Sequence, residues 1–134
     1  MMTMIKEEYK YSEITAKVIG CAMKVHNELG NGFPEIIYHR AMIIEMKEQG
    51  LNFVSGKETT VFYKNQVIGK RRVDFFVEDV VSVEIKAISE LSDSNLNQGL
   101  NYLEAFNIEV GLLLNFGSKS LQFKRLINSK KTTD

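Results

Sequence analysis

Near its C-terminal end the chain carries an almost unbroken apolar run, Val110 to Phe116 (VGLLLNF). Such a run is expected of a strand covered on both faces, not of one with a solvent side. It demands covering elements, and the rest of the sequence offers helices and further strands. The reading is therefore mixed α/β. From Ser12 the apolar positions Ile14, Val18, Cys21, Val25 and Leu29 recur every three or four residues, as one buried helical stripe requires. Gly30-Asn31-Gly32 stops that helix. Pro34, the only proline, suits the first turn of a second helix running to about Gln49, with Gly50 as its stop.

From Leu51 the character changes. Glu58 to Tyr63 is β-branched and aromatic, Lys64-Asn65-Gln66 reads as a turn, and Val67 to Val77 and Val80 to Ile88 read as strands. Ser89 to Ser94 is a polar loop with capping residues. Asn95 to Phe106 is expected as a helix with Leu96, Leu100 and Leu103 on one face, and Leu121 to Leu126 as a last strand. At 134 residues this is one domain, long enough to bury roughly two-thirds of its unfolded surface without staples. The expected division is an N-terminal extension over 1–11, a domain over 12–127 and a frayed polar tail over 128–134.

Composition narrows the function classes. The 17 basic and 17 acidic residues cancel, so no global positive field marks a protein whose main task is coating nucleic acid. Cys21 is the one cysteine, so a disulfide framework and a cysteine-rich zinc site are both excluded. It is expected as a small buried hydrophobe. No apolar signal core or membrane-length window occurs, and a cytoplasmic location is the simplest expectation.

The chemistry concentrates in Arg72-Val73-Asp74-Phe75-Phe76-Val77 followed by Val81-Ser82-Val83-Glu84-Ile85-Lys86-Ala87. Glu84 and Lys86 are two apart on a strand and leave the same face. Asp74 stands on the preceding strand, and the turn between decides its partner. A two-residue loop at 78–79 pairs Val77 with Val80 and sets Asp74 opposite Val83, facing away from Glu84. An odd loop over 78–80, or a bulge, sets Asp74 opposite Glu84. The odd register or a bulge is expected. Two carboxylates and an amine there suit a hard divalent cation, which binds oxygen ligands and lowers the pKa of a bound water. On its own, so short a pattern is more often a cross-strand salt bridge on an exposed sheet face.

The wider context tips that balance. Val25-His26-Asn27-Glu28-Leu29-Gly30, then Gly32-Phe33-Pro34-Glu35-Ile36-Ile37-Tyr38, the Asp74 and Glu84 segments, Asn101-Tyr102-Leu103 and Val110 to Gly117 occur in order. Together they resemble the GxxExxY family, assigned to the PD-(D/E)xK nuclease-like superfamily, over about residues 12 to 127. The resemblance implies a single-domain three-layer fold with a central mixed sheet flanked by helices. It implies Glu35, Asp74 and Glu84 as ligands for Mg²⁺ or Mn²⁺ and Lys86 as partner of the attacking water. Gln98-Gly99-Leu100-Asn101-Tyr102 resembles the QxxxY motif of the RecB-like and exonuclease branch, which implies Gln98 and Tyr102 beside the site. Four apart on a helix, they share a face. Members often carry Gly-Pro-Gly where this chain has Gly30-Asn31-Gly32, and Leu where it has Pro34.

Other residues are weighed more lightly. His26 is expected to make a helix-end hydrogen bond or to pack near Gly30, and His39 to lie on the surface. Lys70-Arg71-Arg72 is the densest basic cluster. In it, Arg72 shares Asp74's face on a regular strand and can meet phosphate. Lys124 and Arg125 belong to a C-terminal basic stretch that serves phosphate contact or plain solubility. Gly111 and Gly117 read as packing and turn positions. Three functions follow: a metal-dependent nuclease acting on DNA or RNA; a non-catalytic nuclease-like module that binds nucleic acid or a protein; and a hydrolase of another phosphate ester. A two-fold homodimer would enlarge the binding surface of so small a domain.

Overall fold

The computed structural model describes residues 10–130. Residues 1–9 of the expected extension and 131–134 of the expected tail lie outside the described residues. The elements are α1 (Ser12–Leu29), α2 (Glu35–Glu48), β1 (Phe53–Tyr63), β2 (Gln66–Val77), β3 (Val81–Lys86), α3 (Asp93–Ala105), β4 (Val110–Asn115) and β5 (Gln122–Ile127). The five strands form one sheet in the order β1-β2-β3-β4-β5. All neighbours are antiparallel except β3 and β4, which run parallel and are joined by α3. This is the mixed sheet flanked by helices that the sequence implies.

The sheet is covered on both sides, as the run at Val110–Phe116 demands. One face carries α1 and α2, with Val18, Val25, Tyr38 and Met42 packed on Phe75, Val83, Leu112 and Leu114. The other carries α3, through Tyr102 and Leu103 against Val73 and Leu126. Two glycines let α3 approach. A β-carbon at Gly111 would meet Leu103 and Ser82, and one at Gly99 would meet Leu126. Cys21 is buried.

Most boundaries shift by a residue or two from the sequence reading, and three of the shifts have a visible cause. β1 begins at Phe53, five residues before Glu58, because Phe53–Ser55 pair with Phe75–Val77 even though Ser55 and Gly56 dilute the β pattern. The hairpin turn is Lys64-Asn65 alone, both at positive φ (49° and 65°), which puts Gln66 in β2 opposite Tyr63. α3 starts at Asp93 because the Ser92 hydroxyl caps the Asn95 amide and the Asn95 side chain returns to the Ser92 amide.

The expected fraying also fails at its first residue. Asn128 is buried, and its side-chain amide donates to the Leu103 and Ile108 carbonyls, closing the end of α3. Three residues, 78–80, join β2 to β3, and Val77 pairs with Val81. The register is odd, as expected. Continued by one pair beyond Phe75 and Val83, it sets Asp74 opposite Glu84.

Candidate active site

The β2–β3 ladder ends at Phe75 and Val83, and Asp74 takes over one step further on. Its Oδ2 accepts the Ile85 amide at 2.8 Å, in place of a ladder carbonyl. Its Oδ1 lies 3.0 Å from His39 Nδ1. In the neutral ring His39 then accepts the Ser55 hydroxyl through Nε2, at 2.9 Å. His39 is thus not a surface residue. Its side chain is only 15% exposed, and its ring stacks on Phe75 at 4.4 Å. One helical turn after Glu35, it shares that acid's face of α2, a spacing that could have revealed it.

The face of β2 reverses at Asp74. Residues two apart on a regular strand point the same way, yet Phe75 packs under α1 and α2 while Val73 packs under α3. Opposite Asp74 stands Gly56 at φ +66°, inside the gap between the Ser55–Phe75 and Lys57–Val73 pairs. The kink changes which basic residue reaches the acids. Arg72, expected on Asp74's face, lies over Gly56. Arg71 instead sets Nη2 at 3.3 Å from both Glu84 oxygens, with its guanidinium 5.1 Å from the centre of the Tyr102 ring. No strand-parity argument made without that kink would have found Arg71.

Glu84 and Lys86 face α3. Between Lys86 and the helix lies an open polar trough of about 650 Å³, lined by Arg71, Lys86, Ser94, Asn97, Gln98 and Asn101. Gln98 therefore shares a trough with Lys86 and with Arg71, the partner of Glu84. Tyr102 is beside it but buried, 2% exposed, and its ring forms the floor under Arg71. Burial pushes its phenol pKa up, while a hydrogen bond from Thr59 opposes the rise.

Glu35 enters from the other side, as the first residue of α2. The loop before it is clamped by Tyr38, whose hydroxyl donates to the Gly30 carbonyl at 2.6 Å and accepts the Phe33 amide at 3.1 Å. The Tyr38 ring stacks on Phe116 at 4.7 Å. Pro34 stands just ahead of the helix, as its N-cap. Though Glu35 is largely exposed, its pKa is raised, first by partial burial of the carboxyl and then by the negative charge of Asp74. Glu84 adds to the rise, and Lys86 and His39 oppose it. The three acids and the lysine therefore share one electrostatic neighbourhood.

The donor set suits a hard cation. Carboxylates that repel one another are relieved by a divalent ion, and magnesium needs only one or two of them, with water completing its shell. Among the described residues no three His, Cys, Asp or Glu side chains stand together as a finished cage. Asp74 has a partner on each oxygen, and Glu84 is held by Arg71.

The remaining candidates separate. Lys124 is in line with Leu113 and Glu84 across three strands, on the same face and about 10 Å from Glu84. Arg125 is in line with Leu112 and Val83, on the opposite face, and donates to the Lys10 carbonyl, so it does not join this site. His26 is buried and bonds the Ser118 carbonyl at 3.0 Å, tying α1 to the β4–β5 turn instead of its own helix end.

Comparison with known proteins agrees with the fold. A family model described as the PD-(D/E)XK nuclease superfamily matches residues 12–126. A search of curated proteins returns no match. Among solved structures, the chain is similar to one described as the crystal structure of SSO0001, with a TM-score of 0.55 and 17% identity. The likeness covers 90% of this chain and 58% of that one, and at this identity it speaks for the fold alone.

Proposed function

The chain belongs to the PD-(D/E)XK nuclease superfamily, and from that premise we propose that it is a metal-dependent phosphodiesterase acting on nucleic acid. Its place in the GxxExxY family, its use of Mg²⁺ or Mn²⁺ and a cytoplasmic location are parts of the same proposal. No described helix is long and apolar enough to cross a membrane.

The observation that carries the reading is the acid cluster: the Glu35 carboxyl, raised first by its partial burial, also feels Asp74 and Glu84, with Lys86 in the same field. A fold gains nothing from gathering like charges, whereas a cation site needs them. Glu35, Asp74 and Glu84 would hold the ion, which when bound makes water a better nucleophile and offsets phosphoryl charge. The protein's own residues do the rest. His39 and the Ile85 amide fix the Asp74 carboxylate. Lys86 borders the trough, where an ammonium can orient an attacking water or offset charge on the scissile phosphate. Arg71 and Gln98 line the same trough and offer donors to neighbouring phosphates. Tyr102 supports Arg71 from beneath.

Ser55, His39 and Asp74 also have the connectivity of a nucleophile–base–acid relay. The superfamily membership favours reading it as the support of Asp74. One observation favours the second reading, a non-catalytic binding module: Arg71 already neutralises Glu84. Mn²⁺ binding and thermal stabilisation, measured on the wild type and on Asp74→Ala, separate the two. The expected result is millimolar or tighter binding that raises Tm in the wild type and is lost in the variant. If neither protein responds at millimolar metal, the catalytic reading fails.

A further inference from the structure

The β1–β2 hairpin outruns the sheet that supports it. β3 pairs with β2 only over Phe75–Val77, so from the Lys57–Val73 pair outward the hairpin has no third strand. Its inner part rests on Tyr102 of α3 and on Phe106 just after it, through Val73. Beyond that, every residue from Phe62 to Lys70 is exposed. The six residue steps from Lys57 to Tyr63 make a two-stranded ribbon of about 20 Å, of which the outer three steps from Thr60, about 10 Å, stand free. An isolated ribbon of this kind is marginal in water. This one also shows Phe62, Tyr63, Val67 and Ile68 to solvent at 61–65% exposure.

Its charge is as uneven as its shape. Residues 57–72 hold Lys57, Lys64, Lys70, Arg71 and Arg72 against the single acid Glu58, in a chain whose 17 cations and 17 acids cancel overall. Lys70 pairs loosely with Glu58 at 3.9 Å. The ammonium groups of Lys57 and Lys64 lie over the rings of Phe76 and Tyr63, at 4.3 and 5.5 Å from their centres, and a ring contact does not neutralise their charge. The ribbon's base ends at Arg71, on the Glu84 side chain of the candidate site.

We propose that this ribbon is a DNA-gripping arm that enters the major groove of a duplex and leads it to the site. A two-stranded ribbon fits the B-form major groove, about 12 Å wide, whereas the deep, narrow major groove of duplex RNA excludes it. Lys57, Lys64 and Arg72 meet phosphates along the groove walls. Phe62, Tyr63, Val67 and Ile68 face base edges and thymine methyl groups, which explains apolar residues on an otherwise solvated ribbon. The partner follows from the positive charge of the arm, and its direction toward Glu84 rests on the phosphodiesterase reading.

The test is fluorescence anisotropy in EDTA with a 20-base-pair DNA duplex, the single strand and the RNA duplex of the same sequence, over a range of salt. The wild type is expected to prefer the DNA duplex. Lys57→Gln combined with Lys64→Gln weakens it about tenfold and lowers the salt slope by about 2. Phe62→Ser combined with Tyr63→Ser weakens it without changing the slope. All four side chains are exposed, and unchanged circular dichroism confirms that the variants fold. Equal binding by wild type and variants overturns the arm, as does wild type that ignores duplex DNA. A wild-type dimer that Phe62→Ser with Tyr63→Ser dissociates also overturns it, in favour of a contact between copies. Because cleavage is not required, the two readings fail separately. A wild type that grips duplex through the arm but never cuts keeps the arm and loses the hydrolase.

Discussion

At the scale of single residues, the site works against the stability of the fold, and Glu35 shows it best. Its carboxyl is raised by partial burial and by Asp74. A carboxyl with a folded pKa above its unfolded value destabilises the protein once ionised. Stability therefore falls as pH rises through the window between the two values, and the penalty is absent below the unfolded value of about 4.3. Glu35→Gln removes the charge. The variant is expected to melt at a higher temperature than the wild type at pH 7, with the gap closing as the pH is lowered to 4. A Tm equal to or below wild type at pH 7 would contradict the shared field of the three acids. Asp74, Glu84 and Lys86 stood out in the sequence by type and spacing, and Glu35 only through the family resemblance. His39 and Arg71 were not. His39 was passed over as surface although it stands four residues after Glu35, and Arg71 reaches Glu84 only because the backbone reverses face at Asp74.

At the scale of elements, two turns decide whether the site exists. The three-residue connection at 78–80 gives the register that sets Asp74 opposite Glu84; parity allowed two registers, and only the odd one lets the acids meet. The kink at Gly56 was invisible to parity. It requires φ +66°, which an alanine adopts at a cost of about 1–2 kcal/mol and an asparagine at less. Urea denaturation of Gly56→Ala is expected to show that loss, and Gly56→Asn a smaller one. The Arg72 guanidinium over Gly56 can swing aside, so the backbone sets the cost. Equal stability of all three proteins would mean that the kink is unstrained and does not depend on glycine. The two helices of the N-terminal half were readable from their stripes and glycine stops. The early start of β1 was not, because Ser55 and Gly56 belong to a kinked strand whose pairing with Phe75 is a tertiary fact.

At the scale of the whole molecule, the apolar run at Val110–Phe116 already implied a sheet covered on both sides, and β4 is that strand. Net neutrality hid the opposite property, a concentrated positive arm. The cluster Lys70-Arg71-Arg72 is plain in the sequence, but a strand edge and a free ribbon look alike until the sheet order shows that β3 stops short. Helices on one side bring Glu35 and His39, the β2–β3 junction brings Asp74, Glu84 and Lys86, and α3 brings Gln98. The fold thereby gathers acids from distant parts of the chain into one electrostatic neighbourhood, with Lys86 bordering the trough that Gln98 lines.

The most direct test of that assembly is cleavage of end-labelled DNA, duplex and single-stranded, by wild type, Asp74→Asn and Lys86→Ala in Mg²⁺ or Mn²⁺ and in EDTA. The expected result is metal-dependent cutting by the wild type, none in EDTA, and a loss of about 100-fold or more in each variant. Wild type that cuts neither DNA in either metal, or Lys86→Ala that cuts as fast as wild type, would contradict it.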